Sequence, residues 1–368
     1  MTNHTDTAAG VQPLLVEPHL DERIWGGDKL ARRFGKPVPP DKPIGESWEI
    51  YDDNVVRNGP YAGSTIAQLR TIMGRDLTGH VPPERQFPIL TKMIDAHEVL
   101  SVQVHPDDHF AQLLEHQPNG KTECWYVIEA EPDAVLTYGF VRDSNPQEYE
   151  DLVKRGELEG LLRSLPVGPG DVVYIPAGTV HAIGAGIVVY ELQQTSDVTY
   201  RIYDWNRRDA QGQTRELHVD KARQVLDYHR WTRGKVEPLS RPGSGRAMLI
   251  AGEYFCEECI EADAGREIST CDSAVAVFAL DQALIVEAGD VAVPLPAYSS
   301  LLVPAAAQTY RLTAGTDGGT GRALVSYIPE SQDAVRTDLE ERGFSTAEID
   351  TFMAQFASAE DLGKGITA

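Results

Sequence analysis

The sequence predicts a mainly β protein of antiparallel sheets, arranged as sandwiches or barrels, with few helices. Three observations predict it. Segments rich in Val, Ile and Tyr recur at short intervals, among them "DAVLTYGFV", "GDVVYIPAG", "GIVVYELQQ", "AVAVFALDQALIVEAGD" and "RALVSYIP". Gly, Pro and Asp punctuate these segments where the chain must turn. Few stretches carry the three-to-four-residue apolar spacing of a helix.

With 368 residues and 42% hydrophobic content, the chain is long enough for two or three domains with sizeable cores. Its 56 acids and 33 bases give a net charge of −23, which excludes a domain-wide basic face for nucleic acid. An anionic ligand would need a local basic pocket. No apolar run approaches a membrane span, and the start "MTNHTDTAAGVQPL" lacks the pattern of a secretory leader, so the expected location is the cytoplasm. Four cysteines are too few for a disulfide scaffold. Cys256 and Cys259 form a CxxC inside "EYFCEECIEA", whose alternation predicts a strand with the two thiols on opposite faces, reduced and without metal.

Taken in order, "STIAQLRTIMG" predicts a helix capped by Ser64, with Ile66, Leu69 and Met73 on one side and a stop at Gly74. "DDHFAQLLEH" predicts a second helix with His109 and His116 on its solvated face. Asn145 and Pro146 occupy cap and first-turn positions of a small helical insert near 145–165. The basic, Pro/Gly-rich "RGKVEPLSRPGSGR" reads as a linker between a unit of residues 1–232 and a second β unit of 233–330. A helical tail over 331–368 follows. In it Ser345 and Glu348 form a capping box ahead of Ile349, Phe352, Met353 and Phe356, a stripe expected to pack on the protein's own surface.

The stretch "LSVQVHPDDHF" places Gln103 and His105 on one face of an otherwise apolar strand. In isolation such a pair is more often a satisfied core histidine than a ligand pair. A metal site would need further ligands elsewhere in the chain. "GDVVYIPAGTVH" supplies one in the order G-x5-P-x-G-x2-H: Gly170 turns the chain into a strand, Pro176 and Gly178 turn it out, and His181 lands on the next strand. This is the second of the two cupin motifs. The first is altered, with Gln103 in place of its first histidine and the nearest glutamate, Glu123, beyond an inserted helix. The expected architecture is therefore two cupin-type β-barrel (jelly-roll) domains with a small helical insert and a helical tail. Two imidazoles, a carboxylate and an amide oxygen suit a divalent ion of borderline softness with an open position, zinc above iron or manganese.

Several segments together resemble the type I mannose-6-phosphate isomerases, in particular the short bacterial form: "IWGG", "IGESWEIYD", "LTKMIDAHEVLSVQVHPDD", "GKTECWYVIEA", "VYIPAGTVHAIGAGIVVYELQQTSDVTYRIYDWNR" and "RELHVDKA", covering most of the chain from Arg23 to Ala222. The resemblance implies one zinc per chain, held by Gln103, His105, Glu123 and His181. It implies interconversion of mannose 6-phosphate and fructose 6-phosphate through a cis-enediol, with Arg201 as the active-site arginine and Lys92 and Lys121 lining the pocket. Without it, Arg201 reads as a surface ion pair with Asp197 or Asp204, and the lysines as solvated. Ser101 is a weaker expectation for a phosphate contact. The general base stays open among a metal-bound water, Lys92, Asp197 and Glu191.

The second β unit contains no histidine and is expected to hold no metal. The tail is extra for the short form, and its deletion is expected to spare turnover but reduce solubility. The expected partner is a phosphorylated hexose, with no nucleic acid or membrane, on a monomer or homodimer. The rival readings are a sugar-binding cupin without turnover and an iron-dependent cupin oxygenase. "GAGIVV" leads into a strand rather than a helix, so it carries no dinucleotide site.

Overall fold

The computed structural model describes residues 11–39, 42–205, 207–208, 212–263, 265–315 and 320–357. The first ten residues, where a leader was sought, and the end of the tail lie outside the described residues. The chain forms two compact units, each assembled from separated segments. One comprises the segment up to His19, Trp48–Thr91 and Glu237–Met353; the other comprises Leu20–Ser47, Lys92–Val236 and the stretch from Ala354.

The second of these units is organised by a six-stranded and a five-stranded sheet. The six-stranded sheet runs Val172–Ile175, Glu123–Ala130, Ile187–Gln194, Ile89–Ala96, His19–Gly27 and Ile44–Ile50. The five-stranded sheet runs Tyr200–Tyr203, Val102–Val104, His181–Ala182, Val135–Phe140 and Leu162–Pro166. Trp125, Val127, Val173 and Val189 of the first pack with Leu136, Tyr138 and Leu165 of the second, so the core lies between the sheets. On the outer face of the five-stranded sheet, Val102, Val104, Tyr200 and Ile202 are buried with Tyr149, Ala222 and Val225 of two covering helices, Pro146–Arg155 and Val219–Val225. Strand alternation then turns Gln103 and Arg201 inward.

Expected closed barrels are not what forms: among the described residues the five-stranded sheet runs between two edge strands, and the six-stranded sheet turns back only at one end, where Ile44–Ile50 pairs with both His19–Gly27 and Ile89–Ala96. The edges are satisfied locally instead. The Val236 N–H donates to the Val172 carbonyl at 2.8 Å, and the His218 N–H to that of Arg201 at 2.7 Å.

The other unit carries an eight-stranded and a four-stranded antiparallel sheet, with Val277, Phe278, Leu301, Leu312 and Leu324 in its core. Cys256 and Cys259 lie on one strand, Cys256–Glu261, the first buried and the second half-exposed; both are free thiols, and burial pushes that of Cys259 up to about 11. The expected linker contains the boundary between the units at Val236 and Glu237, and its second half is a hairpin. Leu239–Ser240 pairs with Arg246–Ala251 across a turn in which Ser244 N–H donates to the Arg241 carbonyl and Gly243 and Gly245 take positive φ.

Helix starts follow their caps. Asn145 accepts from the N–H groups of Gln147 and Glu148, as its position predicts. The helix Ile66–Met73 is capped by Thr65 rather than Ser64, because Gln68 stands three residues beyond Thr65 and closes a reciprocal capping box, whereas Ala67 beyond Ser64 cannot. His109 and His116 are exposed. The tail helices Gln332–Glu341 and Thr346–Met353 bury Val335, Leu339, Ile349 and Phe352, and Phe356 is buried beyond them. No helix among the described residues is long and apolar enough to cross a membrane.

Candidate metal centre

Register across the five-stranded sheet aligns three of the singled-out residues. Gln103 lies directly opposite His181 on one side and Arg201 on the other, so the three side chains share the inner face. His105, two residues beyond Gln103, shares it too. From the facing six-stranded sheet comes Glu123, which is opposite Ile175 and Gln193.

The donor atoms of His105, Glu123 and His181 all lie within 4.8 Å of one another and are buried. His181 Nε2 is 3.2 Å from Glu123 Oε1, and His105 Nε2 is 3.5 Å from Glu123 Oε2. The other nitrogen of each ring is committed: His105 Nδ1 donates to the Val198 carbonyl at 2.9 Å and His181 Nδ1 to that of Thr179 at 2.8 Å. With the proton on Nδ1, each Nε2 presents a lone pair to a carboxylate oxygen. His105 Nε2 and Glu123 Oε1 have no hydrogen-bond partner. Lone pair against lone pair in a dry interior is repulsive unless a cation sits among them. Donors of a tetrahedral zinc with bonds of about 2.0–2.1 Å stand about 3.3 Å apart, which fits the separations.

Protonation follows the same logic. Burial, with Lys121 and His181 nearby, holds His105 well below the usual imidazole value, and burial brings His181 down to about 4. Both rings are neutral ligands at physiological pH. Burial raises Glu123 despite the opposing charge of Lys121. Gln103 Nε2 stands 3.3 Å from His181 Nε2. A half-turn of that amide exchanges nitrogen for the carbonyl oxygen a cation needs.

Around this cluster the lysines are buried rather than solvated, at 8% exposure for Lys92 and 6% for Lys121. Lys121 Nζ is 2.9 Å from Glu123 Oε2; burial opposes its charge, but Glu123 and Glu191 outweigh burial and raise its pKa. Lys92 Nζ lies 3.4 Å from Glu191 Oε2 and 3.7 Å from Glu46 Oε2. Trp125 donates its indole N–H to Glu191 Oε1 at 3.0 Å. Burial would raise Glu191, but Lys121, Lys92 and that hydrogen bond bring it below the usual carboxylate value. Arg23 Nε holds Glu46 Oε1 at 2.9 Å. Glu46, Glu123 and Glu191 thus face Lys92, Lys121 and Arg23 in balance, and a divalent cation would make the pocket net positive.

Arg201 is half-buried, and its Nη1 donates to the Glu216 carbonyl at 2.9 Å. Asp204, one of its two considered partners, is instead held by Arg207 and Arg215 at 2.5 Å each. Asp197 is exposed and lines a separate cavity with Tyr200 and His218. Ser101 is buried ahead of the Gln103 strand. Sequence reasoning passed over Glu46 and Trp125 as site residues. The alternation that singled out Gln103 and His105 would have found Trp125, two residues after Glu123, and a glutamate inside the strand "IGESWEI" was the signal for Glu46.

Fold and site define a protein of packed antiparallel sheets with a buried His/Glu/His cluster able to hold a cation, flanked by lysines. A family model for the catalytic domain of type I phosphomannose isomerase matches residues 14–161. Mannose-6-phosphate isomerase ManA of Bacillus subtilis is 46% identical over 220 residues, 59% of this chain and 68% of that protein. The mannose-6-phosphate isomerase of Streptococcus mutans is 40% identical over 249 residues, 66% of this chain and 77% of that protein. The crystal structure of the mannose 6-phosphate isomerase from Bacillus subtilis superposes with a TM-score of 0.78 at 33% identity, covering 86% of this chain and 100% of that one. The chain belongs to the type I phosphomannose isomerase family, and it is an enzyme of aldose–ketose isomerase type.

Proposed function

We propose that the chain interconverts mannose 6-phosphate and fructose 6-phosphate through a cis-enediol, with one zinc ion per chain held by Gln103, His105, Glu123 and His181. The observation that carries this reading is the pair of Nε2 lone pairs aimed at the Glu123 carboxylate in a buried site. When bound, the ion supplies Lewis-acid stabilisation of the charge that develops on the sugar oxygens. The remaining work falls to the chain's own residues. Lys92 and Glu191, 3.4 Å apart, form the pair that handles the proton moved between C2 and C1, since Glu191 is kept ionised and Lys92 stands beside it to return a proton. Arg201, with a fixed charge, holds the enediolate or a phosphate oxygen. Lys121, kept positive, and Ser101 complete the surroundings of the phosphorylated hexose. The fold is read as cupin-type in the metal-binding unit and cupin-like without metal in the other, and the enzyme as cytoplasmic.

The test is turnover of mannose 6-phosphate in a coupled assay on protein stripped by chelator and then restored with zinc. Activity that disappears and returns supports the reading. Protein that holds zinc yet leaves the substrate unchanged points to sugar binding without turnover, and iron in the purified protein would overturn the zinc assignment.

A further inference from the structure

The hairpin at "SRPGSGR" bounds a cavity of about 310 Å³ lined by Arg241, Ser244, Arg246, Arg266, Arg342 and Phe344. Four guanidinium groups converge there in a chain of net charge −23. The carboxylates around them do not cancel this charge evenly. Glu258, at 1% exposure the buried one, is shared: Arg246 grips it through Nε and Nη2 at 2.5 and 2.6 Å, and Arg342 Nη2 reaches the same carboxylate at 3.1 Å while its Nη1 holds Asp338, 35% exposed, at 2.9 Å. Arg266 spends its described hydrogen bonds on the carbonyls of Gly245 and Ser244, and Asp263, 3.8 Å away, is more than half exposed. Arg241 is tied to Glu348, itself 41% exposed, and its guanidinium lies over the Phe344 ring at 4.4 Å. The outer carboxylates are therefore screened by water, whereas the guanidinium charge is concentrated in the cavity.

The turn is shaped to permit this. Gly245 has φ +60°, and a Cβ there would stand 3.1 Å from Oε2 of the exposed Glu261 and 3.2 Å from Arg266 Nη2, so the absent side chain leaves room for both and lets the guanidinium reach the carbonyls of Ser244 and Gly245. Each guanidinium has five N–H donors, and the described bonds of Arg246 and Arg266 use two apiece. A carboxylate has two oxygens to offer such a group of donors, whereas a phosphate offers three or four in tetrahedral array.

We propose that this cavity is a second ligand site, one that binds a phosphate group, either as inorganic phosphate or as the phosphate of a small monoester whose carbon part rests on Phe344. The site stands on residues separate from the metal centre and does not depend on the isomerase reading.

Equilibrium dialysis of the full chain with radiolabelled inorganic phosphate, and with a labelled hexose 6-phosphate, tests it. The comparison is between the native chain and the Arg241→Gln/Arg266→Gln variant. The native chain is expected to bind one more phosphate group than the variant, or to lose about tenfold or more in affinity for one site upon substitution. Tighter binding of the ester assigns the site to a metabolite, and equal or tighter binding of inorganic phosphate assigns it to the free anion; either supports the site. Hydrogen–deuterium exchange on the native chain, independent of whether the variant folds, should show phosphate-dependent protection at 241–246 and 342–344. Identical stoichiometry and affinity in both chains, or exchange at those segments that phosphate leaves unchanged, would overturn the proposal.

Discussion

Backbone carbonyls on the far side of each ring set the tautomers of His105 and His181. Because the Val198 and Thr179 carbonyls take the Nδ1 protons, the Nε2 atoms are lone-pair donors before any cation arrives. Replacing Glu123 by Gln removes the charge that a dication needs, and should lower bound metal and turnover together by about 100-fold or more. Metal content by mass spectrometry beside the coupled assay checks both. The pH dependence has a definite sign. His181, brought to about 4, stays neutral through the physiological range, whereas Glu123, raised by burial, takes up a proton first as the pH falls. Zinc affinity should be level above that raised value and fall by about tenfold per pH unit below it. Competition with a chromophoric chelator between neutral and mildly acidic pH reads the slope, and an affinity indifferent to pH there would remove Glu123 from the ligand set.

At the scale of elements, the caps and the alternation carry most of the local order. Asn145 satisfies two N–H groups at the start of the helix Pro146–Arg155, and Asn145→Ala should cost about 1 kcal/mol in a denaturant titration. The loss should leave turnover unchanged, because that helix packs on the outer face of the Gln103 strand. The tail helices are another matter. Phe352 is 3% exposed, and Phe356 packs edge-on against Tyr174 at 5.2 Å. Arg233 also donates to the carbonyls of Gln355 and Ala357. Phe352→Ala should therefore destabilise the protein by about 3–5 kcal/mol, measured by urea unfolding. Removing the whole tail should lower stability as well as solubility, so the expectation that turnover survives its deletion does not follow from this packing.

For the whole molecule, the proposed metal site would link metal binding to folding. An ion held, as proposed, by four side chains drawn from three separate strands or strand ends would bind the native state and not the unfolded chain. At a free zinc concentration of about 100 times Kd, the linkage amounts to about 2.7 kcal/mol, which should appear as a reversible rise in Tm when zinc is returned to stripped protein. A scan that does not respond to zinc would mean that the four residues do not act as one site.

The sequence by itself determined the mainly β class of fold and singled out Gln103, His105, Glu123 and His181, which the structure brings together. Period-two alternation and turn residues are local signals, and Gln103 and His105 announce themselves because polar groups interrupt an apolar strand. The capping residues at Asn145 and Ser345 are legible for the same reason. What only the tertiary structure decided depends on partners distant in the chain. Glu46 joins the site because its strand, far away in sequence, pairs beside the strand of Lys92 on one sheet. The second half of the apparent linker becomes a hairpin because Leu239 and Ser240 find Met248 and Ala247 across the turn, with a basic cavity beside it. Whether the sheets close, and which segments share a compact unit, rests on long-range pairing that no local pattern encodes, since a strand's composition records how deeply it is buried but not which strand lies beside it.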